Sequence, residues 1–178
     1  MLAQTKQNKQ VEIRLLNNSD FDRLMHYLQS LHAATVQRFQ PHSFEPQEVL
    51  SFYQQQGTEA CVAIDTATDE MVGYAVLRKG LLPHDVPRLQ QYGYPLQYDA
   101  AYTFAPSVKD DWQSTGVGQL MMNVVLTEMR NRQVRQLVLW GGVQVSNERA
   151  VHFYRKNGFR LLGCFEYNGM NEDMLLEL

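Results

Sequence analysis

Residues 108–118, V-K-D-D-W-Q-S-T-G-V-G, hold the groups in this chain best placed to handle an anion. An apolar run at 100–105 precedes them and reads as a strand. An amphipathic run at 117–130 follows and reads as a helix. The first N–H groups of a helix have no partner inside it, and they carry the positive end of the macrodipole. Gly116 and Gly118 let the backbone turn tightly and approach a ligand closely. A turn of this kind suits a phosphate. The Q-x-x-G-x-G spacing is short, so taken alone it fits equally a plain strand-to-helix turn whose glycines serve packing.

Other chemistries leave signatures that this sequence lacks. There is no G-x-x-x-x-G-K-[ST], and Met121 takes the place of the third glycine in G-x-G-x-x-G. No G-x-S-x-G elbow and no H-E-x-x-H pair occurs. Cys61 and Cys164 lie in apolar, strand-like runs without C-x-x-C spacing, which fits buried thiols better than a redox pair or a disulfide framework. His26 and His42 have no metal-site partners at useful spacing, and His32 lies on or beside an apolar helical face. No metal is expected.

The elements that must position the 108–118 loop follow from periodicity. Residues 1–10 are polar and read as a disordered lead. Residues 11–16 form a first strand, and 17–20 offer several helix N-caps. Apolar residues at Phe21, Leu24, Met25, Leu28, Leu31, Thr35, Val36 and Phe39 then keep helical spacing. Pro46 starts a second helix with Val49, Leu50 and Tyr53 inward, ended by Gly57. Residues 59–65 and 71–78 read as an antiparallel hairpin. Residues 80–97 carry Pro83, Pro87 and Pro95, with tyrosines near the end; they read as an ordered lid or as a packed connector. The helix at 117–130 turns Val117, Leu120, Met121, Val124, Val125 and Met129 to one side. A strand at 135–140 leads to a helix at 148–156, capped by Ser146 or Asn147 and ended by Asn157-Gly158. Two strands, 159–165 and 170–178, close the chain around the tight-turn pair Asn168-Gly169. The expected architecture is α/β (α+β): one three-layer domain over 11–178, with a mixed central sheet of about seven strands and helices on both faces.

A length of 178 residues suits one sizeable core, and a formal charge of -3 argues against broad nucleic-acid binding. No apolar run is long enough to span a bilayer, and the polar start lacks the apolar core of a secretory signal. A cytoplasmic protein is expected.

In element order the chain resembles the GNAT family of acyl-CoA-dependent N-acetyltransferases, from about residue 11 to 178. Two motifs carry the resemblance. Residues 108–118 are similar to the family's V-x-P-x-x-[QR]-x-x-G-x-[GA] loop. Residues 145–159, V-S-N-E-R-A-V-H-F-Y-R-K-N-G-F, are similar to its N-x-x-A-x-x-F-Y-x-x-x-G-F helix. Asp110 stands where a proline is common, and Thr103 where some protein acetyltransferases carry a glutamate base. The stretches L-W-G-G-V, G-F-R-L-L-G-C-F and D-M-L-L-E-L are similar to members that acetylate small polyamines; D-D-W-Q is shared with protein-lysine acetyltransferases.

The resemblance implies acetyl-CoA as cosubstrate, without a metal. Its pyrophosphate would lie on the backbone of Gln113, Ser114, Thr115, Gly116, Val117 and Gly118, and its pantetheine arm along Ser107 and Val108. Asn147 matches a position that contacts the CoA arm, or it simply caps its helix. Tyr154 matches the tyrosine that protonates the leaving thiolate; from helix pattern alone it would be a core aromatic. The base is left open among Asp99, Glu166, Tyr102 and a water chain. The expected reaction is acetyl transfer to a primary amine of a small, polyamine-like or other metabolite by direct attack in a ternary complex. A peptide or protein amine, or a silent acyl-CoA-binding regulatory domain, are the alternatives. Neither a nucleic acid nor a membrane is an expected partner, and homodimer formation is compatible with the resemblance.

Overall fold

A computed structural model describes residues 1–178. In chain order the elements are β1 (Leu2–Gln4), β2 (Gln10–Leu15), α1 (Phe21–Ser30), α2 (Ala33–Val36), α3 (Pro46–Tyr53), β3 (Thr58–Asp65), β4 (Met71–Lys79), α4 (Val86–Gln91), β5 (Ala101–Val108), α5 (Val117–Asn131), β6 (Gln136–Leu139), β7 (Val143–Gln144), α6 (Glu148–Lys156), β8 (Arg160–Glu166) and β9 (Met170–Glu177). Nine strands thus replace the expected seven or so. The chain divides into two compact units, Met1–Leu77 with Ala105–Glu128, and Arg78–Phe104 with Met129–Leu178.

In the first unit β1, β2 and β3 pair antiparallel in sequence order. The 1–10 lead is not disordered. Its residues 2–4 pair with Gln10–Glu12, and Thr5 is buried with its hydroxyl accepting the Gln7 and Lys9 N–H groups. A polar hairpin needs few apolar residues once its backbone bonds to a sheet edge, which is why composition missed it. The expected β3–β4 hairpin is closed by the Asp65 N–H donating to the Glu70 carbonyl at 2.9 Å. Side chains alternate along β4. A Cβ at Gly73 would lie 2.4 Å from the Met121 sulfur and 3.2 Å from Val117, so α5 packs closely there. The next residue, Tyr74, instead meets Tyr27 of α1 edge-on at 6.1 Å and bonds Tyr53 of α3. The unit therefore has helices on both faces of its strands.

Three helical readings change. The helix from Phe21 breaks at Leu31, whose ψ of 136° is extended. The chain restarts at α2 because the Asp110 carboxylate accepts the His32 N–H at 2.9 Å and the Thr35 hydroxyl at 2.6 Å. In α3 it is Phe52 that turns inward beside Val49, while Leu50 is exposed. In α5, Met122 joins Val117, Met121, Val125 and Met129 in the core, and Leu120 and Val124 are half-buried.

In the second unit β5 runs parallel to β6, from Ala101↔Gln136 to Phe104↔Leu139. β9 pairs antiparallel with β6, β7 and β8, so the sheet is mixed. Asn168 and Gly169 both take positive φ in the β8–β9 turn, as the tight turn requires. Residues 80–97 are packed. Leu89 of α4 is buried against Val138 and Leu175, with Leu81, Tyr92, Tyr94, Leu96 and Leu162 around it. Tyr92 fills the space that a side chain at residue 163 would need, its ring atoms 2.1–2.7 Å from a Cβ built on Gly163. Of the two cysteines, Cys61 is buried, which pushes its thiol up to about 12, whereas Cys164 is exposed, against expectation. It lies in β8, a strand none of whose residues is fully buried, so an apolar neighbourhood in sequence did not bury it.

Candidate functional site

The loop between β5 and α5 is built by its own hydrogen bonds. Lys109 donates its N–H to the Val72 carbonyl at 3.0 Å as the strand ends. A 3-10 turn, Asp110–Trp112, follows and buries the indole of Trp112. Ser114 (φ 64°) and Gly116 (φ 101°) then take left-handed conformations, which bends the chain back toward α5; Gly116 carries no side chain of its own there. Thr115 is 1% exposed, its hydroxyl donating to the Trp112 carbonyl at 2.6 Å. The first N–H taken up by the α5 turn is that of Leu120, bonded to the Gly116 carbonyl at 3.1 Å. The N–H groups before it have no acceptor within the helix. An anion therefore fits this turn by main-chain geometry.

Two side chains in the loop are committed internally. The Gln113 carboxamide donates to the Val108 carbonyl at 3.1 Å, with Thr35 and Asp110 oxygens at 3.5 Å. Asp110 ties the loop to the α1–α2 corner. Burial raises its carboxyl, but the bonds from the His32 N–H and Thr35 hydroxyl outweigh that and hold it below the usual carboxylate range. The acid thus faces a helix start rather than the anion turn.

The N-terminal hairpin also reaches this loop. The Lys6 N–H donates to the Thr115 carbonyl at 2.9 Å. Its side chain lies over Gly116, with Cγ 3.4 Å from where a Cβ would stand. The Lys9 ammonium sits 4.1 Å from the Trp112 ring centre, a cation–π contact. The polar composition of residues 1–10 gives no sign of these contacts, which follow from the β1–β2 hairpin.

Ser107, near the end of β5, is 8% exposed. Its hydroxyl is 2.8 Å from the Tyr27 hydroxyl and donates to the Tyr74 carbonyl at 3.3 Å. Above Tyr74, three polar atoms form a chain. His42 Nε2 is 2.7 Å from the Tyr74 hydroxyl, and Tyr53 bonds the same hydroxyl closely. Sequence reading gave His42 no role. Its partners come from a loop, a strand and a helix, and no linear spacing announces them.

In the second unit Tyr154 is 8% exposed on α6, with the rings of Phe153 at 5.5 Å and Phe159 at 5.4 Å. Burial pushes its hydroxyl well above the ordinary phenol value. Asn147 caps α6, its side chain accepting the Ala150 N–H at 3.4 Å. Of the open base candidates, Asp99 is exposed in a 3-10 turn before β5 and Tyr102 is the second residue of that strand, whereas Val108 is its last. Glu166 is exposed at the end of β8. Glu172 and Asp173, acids near the last hairpin, are both paired. Arg155 donates to both oxygens of Glu172 at 2.9 and 3.0 Å, and Arg88 holds Asp173 at 2.6 and 3.1 Å.

The profile of the Acetyltransferase (GNAT) family matches residues 25–159, well over half of the chain. The chain belongs to the GNAT acetyltransferase family. No curated protein sequence matches it. Solved structures agree in fold. The GNAT domain of S. lividans PAT superposes with a TM-score of 0.77 at 15% identity, over 100% of this chain and 96% of that one. The ribosomal-protein-S18-alanine N-acetyltransferase of Escherichia coli gives 0.64 at 19% identity, over 94% and 93%. A spermidine N-acetyltransferase chimera from Vibrio cholerae and hSSAT gives 0.67 at 19%, over 94% and 95%. At such identities the likeness concerns fold. The matched span includes both the β5–α5 turn and α6. No helix is long and apolar enough to cross a membrane.

Proposed function

We propose that this GNAT member transfers an acetyl group from acetyl-CoA to a primary amine of a small molecule by direct attack in a ternary complex. The observation that carries the reading is the β5–α5 turn: a helix start suited to an anion, with a bare left-handed glycine at its centre. Main-chain N–H groups at Gln113, Ser114, Thr115, Gly116, Val117 and Gly118 would hold the pyrophosphate. The Gln113 side chain is held to the Val108 carbonyl, and the N–H groups of Gln113 and Thr115 make long bonds, 3.4 Å, to the Asp110 and Trp112 carbonyls. An anion would have to draw those two away, while Ser114, Gly116, Val117 and Gly118 lead. The main chain at Ser107 and Val108 would take the pantetheine amides, and the Val108 N–H would donate to the carbonyl oxygen as charge develops there. Asn147 serves first as the cap that fixes the start of α6.

Acetyl-CoA supplies the activated thioester. The protein's tasks are to orient the amine, receive its proton and donate one to the departing sulfur. Tyr154 is assigned the last task. From a phenol near 10 to a thiol near 8.5 the transfer is uphill by about 2 kcal/mol, and burial of Tyr154 makes it more so. The hydroxyl therefore stays protonated and acts as a hydrogen-bond donor. Its proton follows the sulfur only as charge builds there, in surroundings that also raise a thiol.

The last hairpin offers a polycation little, because Glu172 and Asp173 are already held by arginines. A monoamine is accordingly favoured over a polyamine. The test is thermal unfolding with acetyl-CoA against ATP and NAD, followed by thiol release with alkyl monoamines, polyamines and peptide amines. At 100 times the dissociation constant the ligand should stabilise by about 2.7 kcal/mol, or roughly 5–10 °C in a domain this size. A selective shift with thiol release on monoamines supports the proposal. A shift without release on any amine would indicate a regulatory acyl-CoA-binding domain. Absence of a shift would reduce the loop to a turn.

A further inference from the structure

The acceptor amine must lose a proton, and of the open base candidates Asp99 and Glu166 are exposed and Tyr102 is half-buried. A different group of side chains is organised for that task. His42 Nδ1 lies 2.6 Å from the Ser43 carbonyl, an oxygen that can only accept. Nδ1 must therefore carry the hydrogen. In the neutral ring Nε2 is then an acceptor, and the Tyr74 hydroxyl 2.7 Å away must donate to it. With its hydrogen so used, Tyr74 can only accept from Tyr53. One carbonyl thus fixes the direction of the whole chain: Tyr53 donates to Tyr74, which donates to His42.

We propose that Tyr53, Tyr74 and His42 form a proton relay that takes the proton of the acceptor amine, with Tyr53 at the substrate end and His42 as terminal acceptor. This rests on the acetyltransferase reading given above. As the amine nitrogen bonds the acetyl carbon, its N–H becomes acidic. That N–H bond breaks toward the Tyr53 oxygen, the Tyr53 proton moves to Tyr74, and the Tyr74 proton moves to His42 Nε2. The nitrogen ends neutral as the amide, both phenols are restored, and His42 holds one proton and one positive charge. The half-buried imidazolium then gives up one proton to solvent, and the relay is reset once Nδ1 alone carries hydrogen, bonded again to the Ser43 carbonyl.

The surroundings favour this role. Tyr53 is half-buried, so the donor end of the chain is not sealed, while Tyr74 in the middle is 0% exposed. Tyr74 also lies beside the proposed pantetheine segment: its carbonyl accepts from Ser107, and its ring meets Tyr27, which bonds the same serine. The groups facing His42 are Tyr74 from β4, Phe52 and Tyr53 from α3, and Phe44 and the Ser43 carbonyl from its own loop. None of these carries a charge at neutral pH. Burial holds His42 below the usual imidazole range, opposed by the bond to Ser43, so it stays neutral and ready to accept at pH 7. Burial also pushes both phenols well up. Neither can rest as a phenolate, so each must pass on its proton as it receives one.

The experiment compares wild type with His42→Gln and Tyr53→Phe; the second removes one hydroxyl and keeps the ring. Folding is checked by thermal unfolding and CoA binding by calorimetry. With both intact, each variant should lose about 10²-fold in kcat/KM for the amine near pH 7. The loss should shrink as pH rises, because solvent hydroxide then takes the N–H proton in place of the relay. Unchanged rates near pH 7 in both variants would overturn the relay. An independent readout is nitrogen NMR of the His42 ring. The relay requires hydrogen on Nδ1, an acceptor Nε2 and a titration below the usual value that moves in Tyr53→Phe. The opposite tautomer, or a titration that Tyr53→Phe leaves unmoved, would overturn it even if wild type transferred no acetyl group. Absent transfer with the required tautomer and coupling would instead count against the acetyl-transfer reading alone.

Discussion

Replacing Arg88 with methionine separates the two readings of residues 80–97. Arg88 gives Asp173 two bonds, at 2.6 and 3.1 Å, and Asp85 one at 2.8 Å. Its guanidinium carbon lies 3.7 Å from the centre of the Phe165 ring. The carboxylate side chains are 1% and 5% exposed, whereas the arginine is 23% exposed. Methionine keeps much of the apolar stem but removes the charge. It would leave Asp173 with the Tyr92 hydroxyl at 2.9 Å and Asp85 with the Gly141 N–H at 3.2 Å. Removing one partner of a buried pair costs about 3–5 kcal/mol, because the other charge remains in the interior. At about 2–4 °C per kcal/mol in a chain of this length, melting should fall by roughly 10 °C. The assay is urea denaturation with the m-value fitted, since an altered m would signal a changed reference state. Adding Asp173→Asn should recover part of the loss, as residues sharing a network do not add. A change within about 0.5 kcal/mol, the range of ordinary surface substitutions, would refute the reasoning. The segment would then be held loosely enough to serve as a lid.

Three further outcomes are expected. Tyr154→Phe should lower kcat by about 10²-fold or more while calorimetric CoA affinity stays within twofold, since it removes a proton donor and keeps the ring packing. Lys6→Ala should weaken CoA binding severalfold, with less loss at high salt, because a cationic stem lies over Gly116; titration at two ionic strengths checks it. Acid should unfold the first unit through Asp20. That carboxylate is fully buried, and hydrogen bonding to Arg14, opposed by burial, holds it below the usual range. A lowered folded value means stability that is fully present above about pH 4, the unfolded value, and is lost as pH falls through the folded one. Asp20→Asn should be less stable at pH 7 and show a flatter acid limb in melting temperature against pH.

Much of the fold was legible because its long elements bury one face. Strands 59–65 and 71–78 and the helices at 117 and 148 appear within a few residues of their expected bounds. What escaped was short or held together from a distance. β1 and β7 have three and two residues, too few for a period of two to register. The break at Leu31 depends on Asp110, 78 residues away from His32 in sequence. Apolar spacing continues through that break, so periodicity alone joins α1 to α2. The N-terminal hairpin escaped for the opposite reason: polar residues carry no pattern, yet its backbone bonds to β2 and to Thr115 are ordinary ones.

The same contrast divides the candidate site. A phosphate is bound by main-chain N–H groups, so its loop needs glycines and a helix start at fixed spacing, and such spacing is visible in a sequence. The proposed amine acceptor would be met chiefly by side chains. These can come from any elements that the topology brings together, as His42, Tyr53 and Tyr74 do from a loop, a helix and a strand. The fold itself persists in solved structures only 15–19% identical to this chain. Acceptor preference in this chain should therefore respond to substitutions on α3 and the 40–45 segment more than to any within the 108–118 loop. Swapping Phe44 or Phe52, both beside His42, should change kcat/KM between amines of different size while CoA affinity stays within twofold. A swap that altered CoA affinity and left amine preference untouched would place the acceptor elsewhere.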